Sequence, residues 1–188
     1  MKNLNLGSGF TKIDGYLNLD KSKVFNPDIV HDLEKIPYPF EDDSIDNIVL
    51  SHVLEHLGQN PDIFNLIIKE IYRICKNGSL IKISVPHPRH DDFLGDPTHV
   101  RAITVHGLEL YDRELNKKWQ KEKAANTLLA LIHNVNFKVK NVRYNLEEKY
   151  LKLFNEKKIN KEELGEMMEK YNNVIKDMFI LLEVIKEI

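Results

Sequence analysis

The chain has 188 residues, 42% of them hydrophobic and 30% charged, with a net charge of −2. That length and balance suit one soluble domain with a single sizeable core, and the near-neutral charge excludes the global basic footprint of a nucleic-acid binder. One cysteine, Cys75, excludes an internal disulfide and a cysteine-only zinc site.

Leu4 and Leu6 alternate with polar neighbours, as in a short strand, and Gly7, Ser8 and Gly9 break it with a tight turn. No apolar stretch precedes that turn, so no signal peptide is expected, and no apolar run is long enough to span a bilayer; the expectation is a cytoplasmic protein. A second short run, Tyr16 to Leu19, ends on Asp20. A glycine turn after one strand and a carboxylate at the tip of the next suit a nucleotide-binding sheet. The glycines let backbone N–H groups approach a ligand closely, and the carboxylate accepts from ribose hydroxyls. The third glycine of the dinucleotide fingerprint is absent and the acid arrives early. Gly9 to Asp20 is too short for a crossover helix plus a strand, so a loop or one helical turn is expected there.

Asp28 to His31 is a short strand candidate, with His31 read as a satisfied core or edge histidine, and Glu34 to Ser44 a proline-containing acidic loop. Ile45 to Leu50 reads as a buried strand, followed by a helical turn over Ser51 to Leu57. Pro61 opens an amphipathic helix carrying Ile63, Leu66, Ile67, Ile71 and Ile74, closed by Asn77-Gly78. Cys75 falls within that pattern and reads as a buried, inert thiol. Ser79 to Val85 suits a strand covered on both faces. Residues 86–112 differ in kind: Pro86, Pro88 and Pro97 disfavour regular structure, and His87, His90, His99 and His106 stand among Arg89, Asp91, Asp92, Asp96 and Arg101. A long irregular segment in a compact domain points to a functional loop. A second amphipathic helix is predicted over Lys121 to Asn134, and a strand over Phe137 to Tyr144. A charged helical insertion over 146–172 is broken near Asn160, and Phe179 to Ile185 is a last apolar strand. Strand and connection alternate, which predicts a single α/β domain over 1–188 with a mostly parallel seven-stranded sheet.

Several stretches together resemble the class I S-adenosylmethionine-dependent methyltransferases, in particular a small bacterial type found in surface-polysaccharide gene sets. They are Leu-Asn-Leu-Gly-Ser-Gly (4–9), Tyr-Leu-Asn-Leu-Asp (16–20), His-Asp-Leu (31–33) and Pro-Phe-Glu-Asp-Asp-Ser-Ile-Asp (39–46). Ser-His-Val-Leu-Glu-His-Leu (51–57), the Glu70-Ile-Tyr-Arg helix and Asn-Gly-Ser-Leu-Ile-Lys-Ile-Ser-Val-Pro (77–86) complete the set. The resemblance implies a Rossmann-like sheet whose last strand is antiparallel, with S-adenosyl-L-methionine as cofactor. It implies that Gly7, Ser8 and Gly9 border the methionine part, Asp20 accepts from the ribose, Asp32 faces the adenine amino group and Leu33 packs on its ring. Ser51 and His52 then close over the cofactor. On residues alone, Asp32 is also read as the cap of the turn that follows, and Glu55 and His56 as structural or exposed. The chain departs from the family in its shortened first crossover and in lacking helices before the first strand. These leave a site that is more open, or is closed by residues 86–112 or by a second subunit.

Methyl transfer from a sulfonium is an in-line displacement in which the protein chiefly aligns the nucleophile. A hydroxyl acceptor must also lose a proton, for which a histidine suits. The segment after the fifth strand therefore supplies the expected general base, His87 or His90. Arg89, Arg101 and His99 are expected to hold an anionic or hydroxyl-rich acceptor, either a small molecule or a saccharide-linked group. The same stretch offers mixed ligands for a divalent metal through His90, Asp91, Asp92, Asp96 and His99, although its spacing matches no strong metal motif. It is also readable as a polar loop whose histidines and aspartates bond one another. Competing functions are an NAD-dependent sugar-modifying enzyme and a non-catalytic subunit of the same fold. The absent third glycine and the lack of a Tyr-x-x-x-Lys pair weigh against the former. No basic stripe with interleaved aromatics suggests nucleic acid, and the last strand and the insertion offer surfaces for a homodimer.

Overall fold

The computed structural model describes residues 2–186, so Met1, Glu187 and Ile188 of the expected 1–188 domain lie outside the described residues. Seven strands form one sheet in the order β3-β2-β1-β4-β5-β7-β6. They are β1 (Asn3–Leu6), β2 (Tyr16–Asp20), β3 (Ile29–Val30), β4 (Ile45–Ser51), β5 (Cys75–Pro86), β6 (Phe137–Leu146) and β7 (Ile175–Val184). β7 runs antiparallel to both neighbours, and the pairs from β3 through β5 are parallel. Residues 7–15 join β1 to β2 through turns without a helix, as their shortness predicts.

Alternation along each strand builds one dry face. Leu4, Ile48, Ile81 and Leu182 stand side by side across β1, β4, β5 and β7, and Leu6, Leu50, Ile83 and Ile180 form the next row; all are buried. Helix α1 (Pro61–Ile74) covers them with Ile67, Ile68, Ile71 and Ile74. Its start is set by Asn60, whose side chain accepts from the Asp62 N–H, and by Pro61 at the first helical position. On the opposite face the row Asn5, Val49, Lys82, Leu181, Asn141 leaves Lys82 and Asn141 exposed. This corrects the expectation that β5 is covered on both faces. The apolar run of β5 reflects only one buried side, because Lys82 and Ser84 alternate through it.

Two boundaries also differ from expectation. α1 stops at Ile74, before Asn77-Gly78, because its last carbonyls are taken by the segment entering β4: Asp43 N–H donates to Arg73 O and Ser44 N–H to Ile74 O. Asn77 and Gly78 instead form an irregularity inside β5, where pairing jumps from Ile45–Cys75 to Asn47–Leu80 and Gly78 takes φ +78°. The helix predicted over 121–134 is broken, since within that range only residues 121–122 and 129–133 are helical.

Residues 86–112 are less irregular than predicted, since they carry α2 (Asp91–Leu94) and α3 (Val105–Glu109). α4 (Arg113–Glu122) ends where Lys123 adopts a left-handed φ of +54°, and α5 (Leu129–His133) starts six residues later. The buried Asn116 ties them together. Its side-chain oxygen accepts from the Ala130 N–H and its amide donates to Leu110 O. α6 (Glu148–Asn155) and α7 (Lys161–Lys170) form the expected insertion, with Asn160 and Glu163 making a reciprocal cap at the predicted break. No helix among the described residues is long and apolar enough to cross a membrane.

Candidate active site

The carboxyl ends of β1 to β4 open into a cleft of about 580 Å³, a volume suited to a nucleoside-sized ligand. Ligands sit beyond the carboxyl ends of parallel strands, and the connecting loops supply the walls. Gly7, Asp20, Asp32, Leu33 and His52 line the cleft. Gly7 has φ +66°, and a Cβ there would stand 2.7 Å from Val53 Cγ2, so this turn admits only glycine without rearrangement. Ser8 is buried, and its hydroxyl oxygen has no hydrogen-bond partner.

Asp20, 8% exposed, is held by two backbone donors: Gly9 N–H to Oδ2 and Ser22 N–H to Oδ1, each at 2.9 Å. A carboxylate has about four acceptor directions, so acceptor capacity remains on both oxygens for ligand hydroxyls. Asp32 Oδ1 accepts from the Glu34 N–H at 3.1 Å while the residue lines the cleft, so turn capping and ligand contact coexist. Buried Leu33, with Phe25 and Leu57, gives the cleft an apolar side. The orphaned Ser8 oxygen, the preset Asp20 carboxylate, the glycine turn and this apolar side fit S-adenosylmethionine. Ser51 ends β4 exposed and outside the lining.

His52 follows β4 with a left-handed φ of +54°, its N–H donating to Ser84 O at 2.8 Å. Its half-exposed imidazole places Nδ1 3.4 Å from Glu55 Oε1. That carboxylate raises the pKa of His52 against the opposing effect of partial burial, and Asp177 and Asp92 add to the rise. The site mouth is thus acidic near His52.

The histidine-rich segment is organised differently from the sequence expectation. His87 Nδ1 accepts from the Arg89 N–H at 3.2 Å, and its ring lies edge-on to Tyr144. Burial, then the charges of Arg89 and His90, lower its pKa. His90 Nδ1 accepts from the Asp92 N–H at 3.0 Å and caps α2, while Nε2 donates to Glu147 at 3.2 Å. Both ring nitrogens are committed, which corrects the expectation of a general base at His90. Arg89 donates to the terminal carbonyls of α7, Met168 O and Glu169 O, and so docks the insertion. Arg101 lies over the Phe64 ring at 4.2 Å and donates to Gly58 O. Neither guanidinium stands in the cleft lining. His106 pairs with Glu109 on α3.

Among the described residues, the metal-ligating side chains that converge are Glu55, His56 and His99, not the set His90, Asp91, Asp92, Asp96, His99 read from the sequence. Sequence reasoning also missed the lining roles of Lys21, Phe25, Glu34, His56 and Thr98, and of His31, whose Nε2 donates to Lys35 O at 2.8 Å. A usable signal existed for Thr98. Asp96 two residues earlier takes both its N–H and its hydroxyl, which fixes the turn that turns Thr98 inward.

Residues 6–83 match a family model described as a methyltransferase domain. No curated protein matches the chain significantly. Solved structures share the fold at low identity. A SAM-dependent methyltransferase from Archaeoglobus fulgidus is 17% identical with a TM-score of 0.61, covering 97% of this chain and 85% of that one. A SAM-dependent methyltransferase from Methanosarcina mazei is 15% identical with a TM-score of 0.56, covering 99% and 93%. A putative S-adenosylmethionine-dependent methyltransferase from Listeria monocytogenes is 16% identical with a TM-score of 0.54, covering 99% and 91%.

Proposed function

We propose that this chain is a class I S-adenosylmethionine-dependent methyltransferase that acts at an oxygen of a small, uncharged, hydroxyl-bearing acceptor such as a saccharide, with His52 as general base. The observation that carries this is the position of His52: it lines the cofactor cleft at the end of β4, yet half of its ring faces solvent. The acidic surroundings, Asp92 and Asp177, disfavour a phosphate or carboxylate acceptor. Arg89 and Arg101, named for anion binding, are engaged elsewhere.

When bound, S-adenosylmethionine supplies an electrophilic methyl group and its own leaving group. Asp20 would hold the ribose, the Gly7–Gly9 turn would border the methionine part, and Asp32 and Leu33 would form the wall for the base. Glu55 faces His52 Nδ1, so Nε2 is the nitrogen left to take the acceptor proton. Alignment of acceptor and methyl supplies the larger part of the acceleration, and the base adds about 10²–10⁴. His87, half-buried after β5, is the weaker candidate base, because its Nδ1 lone pair is taken by the Arg89 N–H.

The test uses isotope-labelled S-adenosylmethionine with a panel of sugars, sugar nucleotides and amines. Labelled ether products, lost in His52→Ala, support the reading. Transfer to amines alone would replace it, since the acidic mouth also attracts a cationic acceptor. In parallel, S-adenosylhomocysteine should raise the melting temperature and NAD should not; the reverse would restore the dehydrogenase alternative.

A further inference from the structure

Beside His52 and His56, which line the cleft, lies a buried carboxylate that no hydrogen bond satisfies. Glu55, in the 3₁₀ turn Leu54–His56, is 0% exposed, yet neither carboxylate oxygen accepts a hydrogen bond. A buried carboxylate without donors is costly unless something positive meets it. The imidazole of His52 is half-exposed and 3.4 Å away, beyond good hydrogen-bond length.

Two further histidines face the same place. Glu55, His56 and His99 each offer a ligand atom within 4.8 Å of the others. Both rings are already oriented. His99 Nδ1 donates to Phe93 O at 2.8 Å, and the ring stacks on Phe93. The Thr98 hydroxyl donates to Asp96 at 2.7 Å, so it accepts from His56 Nδ1 at 3.0 Å. Each ring therefore keeps the Nε2 lone pair. Metal-bound histidines are held this way, with the second nitrogen donating to a carbonyl or hydroxyl that fixes tautomer and angle. The backbone supports the arrangement: Val100 and Arg101 N–H groups both donate to Glu55 O, which pins the loop bearing His99 onto the turn bearing Glu55 and His56.

We propose that Glu55, His56 and His99 bind one divalent transition-metal ion. Two imidazole nitrogens and one carboxylate oxygen suit Zn²⁺, Fe²⁺, Mn²⁺ or Co²⁺ better than Mg²⁺ or Ca²⁺, which prefer oxygen ligands throughout. Three protein ligands leave coordination positions open, and His56 lines the cleft. The proposal goes beyond the methyl-transfer reading and does not depend on it.

The test uses the untagged full chain, stripped with chelator and titrated with Co²⁺ while visible absorption and metal content are followed. One Co²⁺ per chain is expected, displaced by Zn²⁺ and not by millimolar Mg²⁺. His56→Ala and His99→Ala should each weaken uptake by more than the 10–100-fold typical of losing an outer-shell partner. Glu55→Gln should abolish uptake and leave the apo melting temperature equal or higher, because a buried carboxylate without hydrogen-bond donors is gone. If that variant fails to fold, the histidine variants decide. No stoichiometric uptake by the wild type, or equal uptake by the His56→Ala/His99→Ala double variant, overturns the proposal. Calorimetry of S-adenosylhomocysteine with chelator present is run on the same samples. Binding there without Co²⁺ uptake sinks the metal site alone, and Co²⁺ uptake without such binding sinks the cofactor reading alone.

Discussion

Asp20→Asn tests the cofactor grip most directly. In the wild type each carboxylate oxygen takes one backbone N–H, from Gly9 and from Ser22, both at 2.9 Å. An asparagine keeps one oxygen and replaces the other with an NH₂ that cannot accept. One backbone donor then faces another donor, and one ribose hydroxyl loses a charged acceptor. Each loss is of a hydrogen bond to a charged group, worth about 1.5–3 kcal/mol. The first acts on the free protein. For a chain of this size it should lower the melting temperature by about 3–12 °C. The second acts on the complex and should weaken S-adenosylhomocysteine binding by about 10–150-fold. Calorimetry at a temperature well below the variant's transition reads the second free of the first. A folded Asp20→Asn protein that binds S-adenosylhomocysteine as tightly as wild type would refute the assignment of Asp20 to the ribose.

Four further outcomes follow from the geometry. His52→Ala should lower kcat by about 10²–10⁴ while leaving cofactor affinity within a few-fold, and His87→Ala should spare kcat; single-turnover assays of the two variants show whether the base roles are reversed. Gly7→Ala should be destabilised by both its positive φ and the 2.7 Å approach to Val53, and Val53→Ala should restore only the steric part, which a double-mutant melting cycle reads. Burial alone would raise the Glu70 carboxyl, but two Arg73 N–H bonds and the Tyr38 N–H hold it below its ordinary 4.5. A lowered folded pKa contributes stability above pH 4.5 that is lost as pH falls through the folded value, so Glu70→Gln should flatten the acid limb of a stability–pH curve. Burial pushes the Cys75 thiol up to about 12, so it should resist alkylation at pH 8 until the chain unfolds.

The parts of the fold that were legible in the sequence are those with short-range causes. β1, the glycine turn and β2 announce themselves by alternation and by a residue type that only a positive φ explains; α1 announces itself by Asn60, Pro61 and a helical spacing of isoleucines. The insertion's break at Asn160 is likewise a local cap. What was not legible has long-range causes. The end of α1 is decided by Asp43 and Ser44, some thirty residues earlier in the chain, and the split of α4 from α5 by a left-handed Lys123 that no propensity foretells. The site divides along the same line. Asp20 ends β2 and Asp32 follows β3 by two residues, and the end of a strand fixes where nearby side chains go. The roles of His90, Arg89 and Arg101 were not, because their partners Glu147, Glu169 and Phe64 lie on other elements. A loop rich in histidine and arginine therefore read as one reactive surface, although folding spends His90 and Arg89 on fastening the insertion and brings His99 to Glu55 and His56. The fully buried carboxylate of Glu55, with no hydrogen-bond donor and the His52 imidazole 3.4 Å away, is what sets this second cluster apart, since packing alone would have favoured an apolar side chain at that position in the turn.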